Sequence, residues 1–282
     1  MRNHQASILA SGFVFLEGLR WKDGRLWMSD MWGNACYNLD VKGRSNRICS
    51  VPQRPSGLGF LPDGTMVVVS MADRRLLRLV DGTLTEYADL SAVATGELND
   101  LLIDDSGRAY VGNFGYDLFG GSSAAPANIV MVTQDGAITV VAHDLTFPNG
   151  MVTIDGGRTF VVSETFANRL TAYDLDAKGG LSNRRVYAEL GDRTPDGLCV
   201  DREDGIWVAS FATGEFIRMA RDGTITDRVF CENRRAVSCV LGGDDLGTLF
   251  CSTFAGHLDD MVARKKAGAI ETVRVNIPGR GT

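Results

Sequence analysis

Six segments of this chain begin with an oxygen-bearing side chain and run on into apolar residues: Glu17-Gly18-Leu19, Ser56-Gly57-Leu58, Asn99-Asp100-Leu101, Asn149-Gly150-Met151, Asp196-Gly197-Leu198 and Ser238-Cys239-Val240. Two of the leading side chains are carboxylates, two are carboxamides and two are hydroxyls. Oxygen-only ligand sets suit hard divalent ions. Glu17 and Asp196 would supply the charge, Asn99 and Asn149 neutral donors, and water the remaining positions. Ca²⁺ is the first choice of occupant, with Mg²⁺, Mn²⁺ or Zn²⁺ also admissible. A zinc site built on histidine is disfavoured, because the chain has only His4, His143 and His257. Taken singly, Asn, Asp or Ser before glycine is an ordinary turn former. Glu17 is not, and four such oxygens at one recurring position ask for a further reason.

The recurrence sets the architecture that must position them. Successive leading residues lie 39, 43, 50, 47 and 42 positions apart, and 44 residues follow the last. Within each unit a short apolar run is followed by an Asp/Gly turn, as at Asp23-Gly24, Asp63-Gly64, Asp155-Gly156 and Asp204-Gly205. A second run then ends in Ser or Gly: Ser29, Ser70, Gly112, Ser163, Ser210 and Ser252. Short apolar runs between Gly/Asp turns are strand signals. A period of this length is that of a four-stranded propeller blade, longer than the strand spacing of a sandwich or barrel. The expectation is an all-β, six-bladed β-propeller of four-stranded blades, one domain over residues 1–282. Its ring is closed by strands from both termini, residues 5–10 and 269–277.

In such a fold the innermost strand of each blade lines the axis, so the six leading residues form a ring at one channel mouth. The loops after the second strands share that face and are aromatic. Trp32, Phe114, Phe166, Phe211 and Phe254 are expected to converge there as an apolar substrate pocket, although packing between blades is the alternative for each. The Gly/Ser-rich segment 114–128 reads as a lid, and His257 sits on the last of these loops.

Composition removes other classes. The net charge is −6 and the only run of three basic residues is Arg264-Lys265-Lys266, which argues against a nucleic-acid partner. Six cysteines form no Cys-x-x-Cys pair. No apolar stretch suits a signal peptide or a membrane span. The expectation is a reduced, cytoplasmic protein with a small-molecule partner and no membrane partner; its oligomeric state is not legible.

Several motifs, in order along the chain, resemble the SMP-30/gluconolactonase/luciferin-regenerating family. They are Leu16-Glu17-Gly18, Asn99-Asp100 with Gly107-Arg108-Ala109-Tyr110-Val111-Gly112, Pro148-Asn149-Gly150-Met151 leading to Ser163-Glu164-Thr165, Pro195-Asp196-Gly197 leading to Trp207-Val208-Ala209, and Ser238-Cys239 leading to Gly242-Gly243-Asp244. The resemblance implies a propeller with Ca²⁺ or another divalent ion held by Glu17, Asn149 and Asp196. Asn99 would be a further ligand or a substrate contact, and lactone hydrolysis the activity. Sugar-acid lactonases of the family carry arginine where Glu97 stands here. That departure shifts the expected substrate to a less polar lactone or an aryl ester. In the expected mechanism the ion polarises the carbonyl, Asp196 is the general base and Asn99 orients the substrate. His257 is a candidate proton shuttle. Organophosphate hydrolysis at the same ion, and a non-catalytic binding propeller with a structural calcium, are the alternatives.

Overall fold

A computed structural model describes residues 1–280. Six antiparallel sheets follow one another around a central axis. Their innermost strands are Leu16–Lys22, Pro55–Phe60, Leu98–Ile103, Pro148–Ile154, Pro195–Val200 and Arg235–Gly242. This is the expected six-bladed β-propeller. The closing blade takes its three inner strands from Arg235–Gly242, Thr248–Phe254 and Gly268–Arg274, and its outermost strand from Ser7–Phe13 near the N-terminus.

One blade departs from four strands. Arg2–His4 pairs in parallel with Ile225–Phe230 and gives the fifth blade a fifth strand. Asp227 holds it there, 2.9 Å from Arg2 Nε and 2.8 Å from His4 Nε2. Nothing in the hydrophobic pattern of three polar residues at a chain end announces a strand.

Each blade is sandwiched between two others, so its middle strands are covered on both faces. Met66–Ser70, Ala109–Asn113 and Ile206–Ser210 are buried at every residue. They therefore read as continuous apolar runs rather than as alternation. Outer strands such as Leu181–Glu189 are mostly exposed and charged, which blunts a sheet edge against pairing with another chain. Between blades four and five, Val161, Ala172 and Leu170 pack on Val208, Ile217 and Leu198.

The inner ladders share one irregularity. Their register slips between Glu17 and Arg20, Pro55 and Leu58, Leu98 and Leu101, Pro148 and Met151, Pro195 and Leu198, and Ala236 and Ser238. Such bulges bend a strand and re-aim its side chains. Here they turn one residue per blade towards the axis at the same height. The next position is crowded: a Cβ on Gly150 would lie 2.5 Å from Leu198 N, and one on Gly197 2.6 Å from Ser238 Oγ.

That contact corrects the sixth ring position. Ser238 aligns with Gly197 and Gly150, so the residue equivalent to Asp196 and Asn149 is Val237, not Ser238. The Ser-Cys-Val run resembles Ser-Gly-Leu at the second blade, but its serine fills the slot that glycine fills elsewhere. The ring is thus Glu17, Ser56, Asn99, Asn149, Asp196 and Val237, with an apolar sixth member that is 1% exposed.

Candidate active site

The ring residues are brought to one level by the fold, and Glu17, Asn99, Asn149 and Asp196 are all buried. Buried side-chain polar groups ordinarily find partners, and the amide nitrogens here do. Asn99 Nδ2 donates to Pro148 O at 3.2 Å, and Asn149 Nδ2 to Thr165 Oγ1 at 3.4 Å. Thr165 Oγ1 in turn donates to Pro195 O at 2.8 Å. These contacts reach into the neighbouring blade and fix which end of each amide faces inward. The inward oxygens are treated differently. Asn99 Oδ1 accepts from Ser56 Oγ at 3.4 Å, whereas Asn149 Oδ1 and Asp196 Oδ1 have no partner.

The acids share a further cost. Burial, then the charges of Asp196 and Asp100, push the Glu17 carboxyl well above its usual range, with Gly18 N–H opposing. Asp196 is likewise pushed up by burial and then by Asp100, with Asn149 opposing. No lysine or arginine pairs with either acid among the described residues. Asp100 occupies the crowded slot of blade three and accepts from its neighbour Leu101 N at 2.7 Å.

Two repelling carboxylates and an unpartnered amide oxygen, all hard donors in a shared buried ring, fit a divalent cation. Among the described residues no group of three or more His, Cys, Asp or Glu is placed to hold an ion. The set that fits is two acids with two amides.

Above the ring lies a cavity of about 270 Å³. Of the aromatic residues expected there, Phe114, Phe166 and Phe211 line it. Phe254 and Trp32 stand behind the wall. Phe254 is packed edge-on at 5.2 Å against Phe15, and Trp32 is edge-on at 5.1 Å to Phe119. Glu97 also stays outside the lining, in an ion pair with Arg54 of the preceding blade. Burial raises its carboxyl while Arg54 opposes. His257 begins the short helix Leu258–Val262, against a separate cavity with Arg234 and Asp260. The helix nevertheless sends Leu258 and Met261 to the cavity above the ring. The segment 114–128 supplies Leu118 and Phe119 to the same wall.

Sequence reasoning missed Phe15, Phe147, Thr194 and Arg235, which also line the cavity. A signal was present: each lies two residues before a ring residue. Backbone bonds confirm the shared position, for Met31 N donates to Phe15 O, Thr165 N to Phe147 O and Phe211 N to Thr194 O. Phe147 stacks on Phe114 with centroids 4.5 Å apart and planes at 12°.

Residues 15–255 match the SMP-30/Gluconolactonase/LRE-like region. The chain belongs to that family. The pentonolactonase XacC of Haloferax volcanii is 29% identical over 276 residues, spanning 94% of this chain and 92% of its own. Regucalcin of Danio rerio is 27% identical over 248 residues, spanning 86% and 81%. In fold, a calcium-binding regucalcin of Agrobacterium tumefaciens superposes with a TM-score of 0.84 at 23% identity, covering 99% of this chain and 97% of that one. No helix among the described residues is long and apolar enough to cross a membrane.

Proposed function

We propose that this family member hydrolyses lactones, or closely related esters, in the aromatic cavity above the ring. Glu17, Asn149 and Asp196, with Asn99 beside them, would hold a divalent ion, Ca²⁺ by preference. The unpartnered Oδ1 atoms of Asn149 and Asp196 carry this reading. The lactonase relatives support the reaction class. The apolar wall of Phe15, Phe114, Phe147 and Phe211 supports a substrate less polar than a sugar lactone.

When bound, the ion supplies Lewis-acid polarisation of the ester carbonyl. The chain's own groups do the rest. Asp196 takes the proton of the attacking water, as a buried ring carboxylate with no lysine or arginine paired to it among the described residues. Asn99 orients the substrate from across the ring, its amide held by Ser56 and Pro148 O. The aromatic wall seats the ring and excludes bulk water.

Asp196→Asn and exhaustive chelation should each lower turnover of an aryl-lactone panel at least a hundredfold, and Ca²⁺ or Mn²⁺ should restore only the chelated wild type. A chelated protein with undiminished turnover would sink the reading.

A further inference from the structure

The tier directly above the ring consists of Phe15, Arg54, Glu97, Phe147, Thr194 and Arg235, one from each blade. Three of these are charged, and the charges are handled in two ways. Arg54 and Glu97 neutralise each other across adjacent blades. The Arg54 guanidinium is also held 4.8 Å over Trp32 and 4.9 Å over Phe119, so its charge is compensated although its Nη1 has no hydrogen-bond partner. Arg235 is different. Its guanidinium lies 5.0 Å over the Phe211 ring, and its only hydrogen bond among the described residues is a long one, Nε to Gly256 O at 3.4 Å. No carboxylate pairs with it there. Both terminal amino groups are therefore without a protein partner, on a half-buried side chain that lies between the aromatic cavity and the one beside His257 and lines both.

We propose that Arg235 is a specificity-determining residue that binds a carboxylate carried by the substrate, on an otherwise apolar aromatic or aliphatic body and remote from the ester that is cleaved. The proposal rests on the hydrolytic reading above and narrows its substrate class. With a divalent ion balancing Glu17 and Asp196, Arg235 is the one uncompensated charge in the lining. A cation beside an apolar, poorly hydrated wall attracts an anion more strongly than it would in water. The contact with the Phe211 face restrains the guanidinium. The two free amino groups then present the planar fork that matches a carboxylate with two parallel hydrogen bonds, which a lysine would not. The cavity would reject polyhydroxylated rings for want of polar partners, yet accept one acidic group at one place.

The test compares dihydrocoumarin with a dihydrocoumarin bearing a ring carboxylate, on the metal-loaded wild type, Arg235→Gln and Arg235→Lys. The wild type should show a KM for the carboxylated lactone at least tenfold lower than for the neutral one. Arg235→Gln should reduce the carboxylated-to-neutral ratio of kcat/KM by about tenfold to a hundredfold, the range for losing a charge-assisted contact. The change should fall on KM rather than kcat, and Arg235→Lys should recover part of it. In parallel, calorimetric titration with 3-phenylpropionate and its amide reads the same site without turnover. The acid should bind the wild type at least tenfold more tightly than Arg235→Gln, and the amide should show no such difference. Equal KM for the two lactones in the wild type, or an unchanged ratio in Arg235→Gln, overturns the proposal. If neither lactone is turned over but phenylpropionate binding depends on Arg235, the hydrolytic reading fails and the carboxylate site stands. If Arg235→Gln does not fold, the wild-type preference and the lysine variant decide.

Discussion

At the scale of the residue, Asp196 is held in two conflicting states. The ion would need it charged, whereas its buried surroundings and the charge of Asp100 disfavour that charge. Without an ion, the ring therefore carries repulsion that an isosteric neutral side chain would relieve. Asp196→Asn should raise the melting temperature of the chelated protein by a few degrees, corresponding to about 1–2 kcal/mol, since replacing an uncompensated buried charge with a neutral group is commonly stabilising. The wild type should gain stability on adding Ca²⁺ or Mn²⁺, as any ligand specific to the folded state provides, and the variant should gain little. Thermal melts with chelator and with ion check both halves. A variant that melts below the wild type in chelator would show that Asp196 serves packing rather than an ion.

At the scale of the element, what aims the ring residues is a set of polar pins at the ends of the second strands. Asp30 accepts from Val14 N at 3.0 Å and Phe15 N at 2.9 Å, which fixes the approach to Glu17. Glu164 accepts from Thr146 N at 2.7 Å, which fixes the approach to Asn149. Glu164 is fully buried, with Arg169 and Arg184 at 2.9 and 3.1 Å and the Tyr173 phenol nearby. Burial alone would raise its carboxyl. The bonds from Thr171 and Thr146 N, with the two arginines, outweigh that and hold it below its usual range. A depressed folded value means that this stabilisation is complete above the ordinary glutamate value of about 4.3, and is lost as pH falls through the folded value. Glu164→Gln should cost about 2–4 kcal/mol at neutral pH and flatten the acid limb of the stability curve. Urea unfolding at a series of pH values reads this, and a variant curve parallel to the wild type would refute it. The same elements show what the sequence made legible. The period of Glu17, Asn99, Asn149 and Asp196 was readable because each stands one residue before an apolar run, with glycine, or Asp100 in blade three, between them. Val237 was not, because Ser238 resembles a ring residue while packing as a glycine-slot residue against Gly197. The tier of Phe15, Phe147, Thr194 and Arg235 was hidden for another reason: its members share a backbone position but no side-chain chemistry. Trp32 and Phe254 have the right composition for the cavity, but their rings turn into the wall against Phe119 and Phe15.

At the scale of the whole molecule, the site exists only while the ring is closed, since its donors come from separate blades and none can be aimed by one blade alone. The N-terminal segment contributes in two separate ways, and only one of them closes the ring. Arg2–His4 adds an outer strand to blade five through Asp227, where Arg2 is half exposed and the contact is peripheral. Ser7–Phe13 instead completes blade six by pairing with Gly268–Arg274, and Phe13 is packed with Leu16, Leu39 and Ile270 between the first blade and the last. Removing residues 1–4 should therefore lower stability by only about 1–2 kcal/mol, the scale of a few partly exposed contacts, and leave a monodisperse, ion-responsive protein. Removing residues 1–13 strips a whole strand from the closing blade. It exposes the edge of Gly268–Arg274 and the apolar face of Ile270, and unpaired edges of this kind recruit other chains. The longer deletion should lose the single cooperative unfolding transition and elute as oligomers or aggregate. Denaturant unfolding and size-exclusion chromatography of the two truncations distinguish these outcomes. A 1–13 deletion that stays in its native oligomeric state, unfolds in one transition and still gains stability from Ca²⁺ would mean that the ring does not depend on its terminal strand for closure.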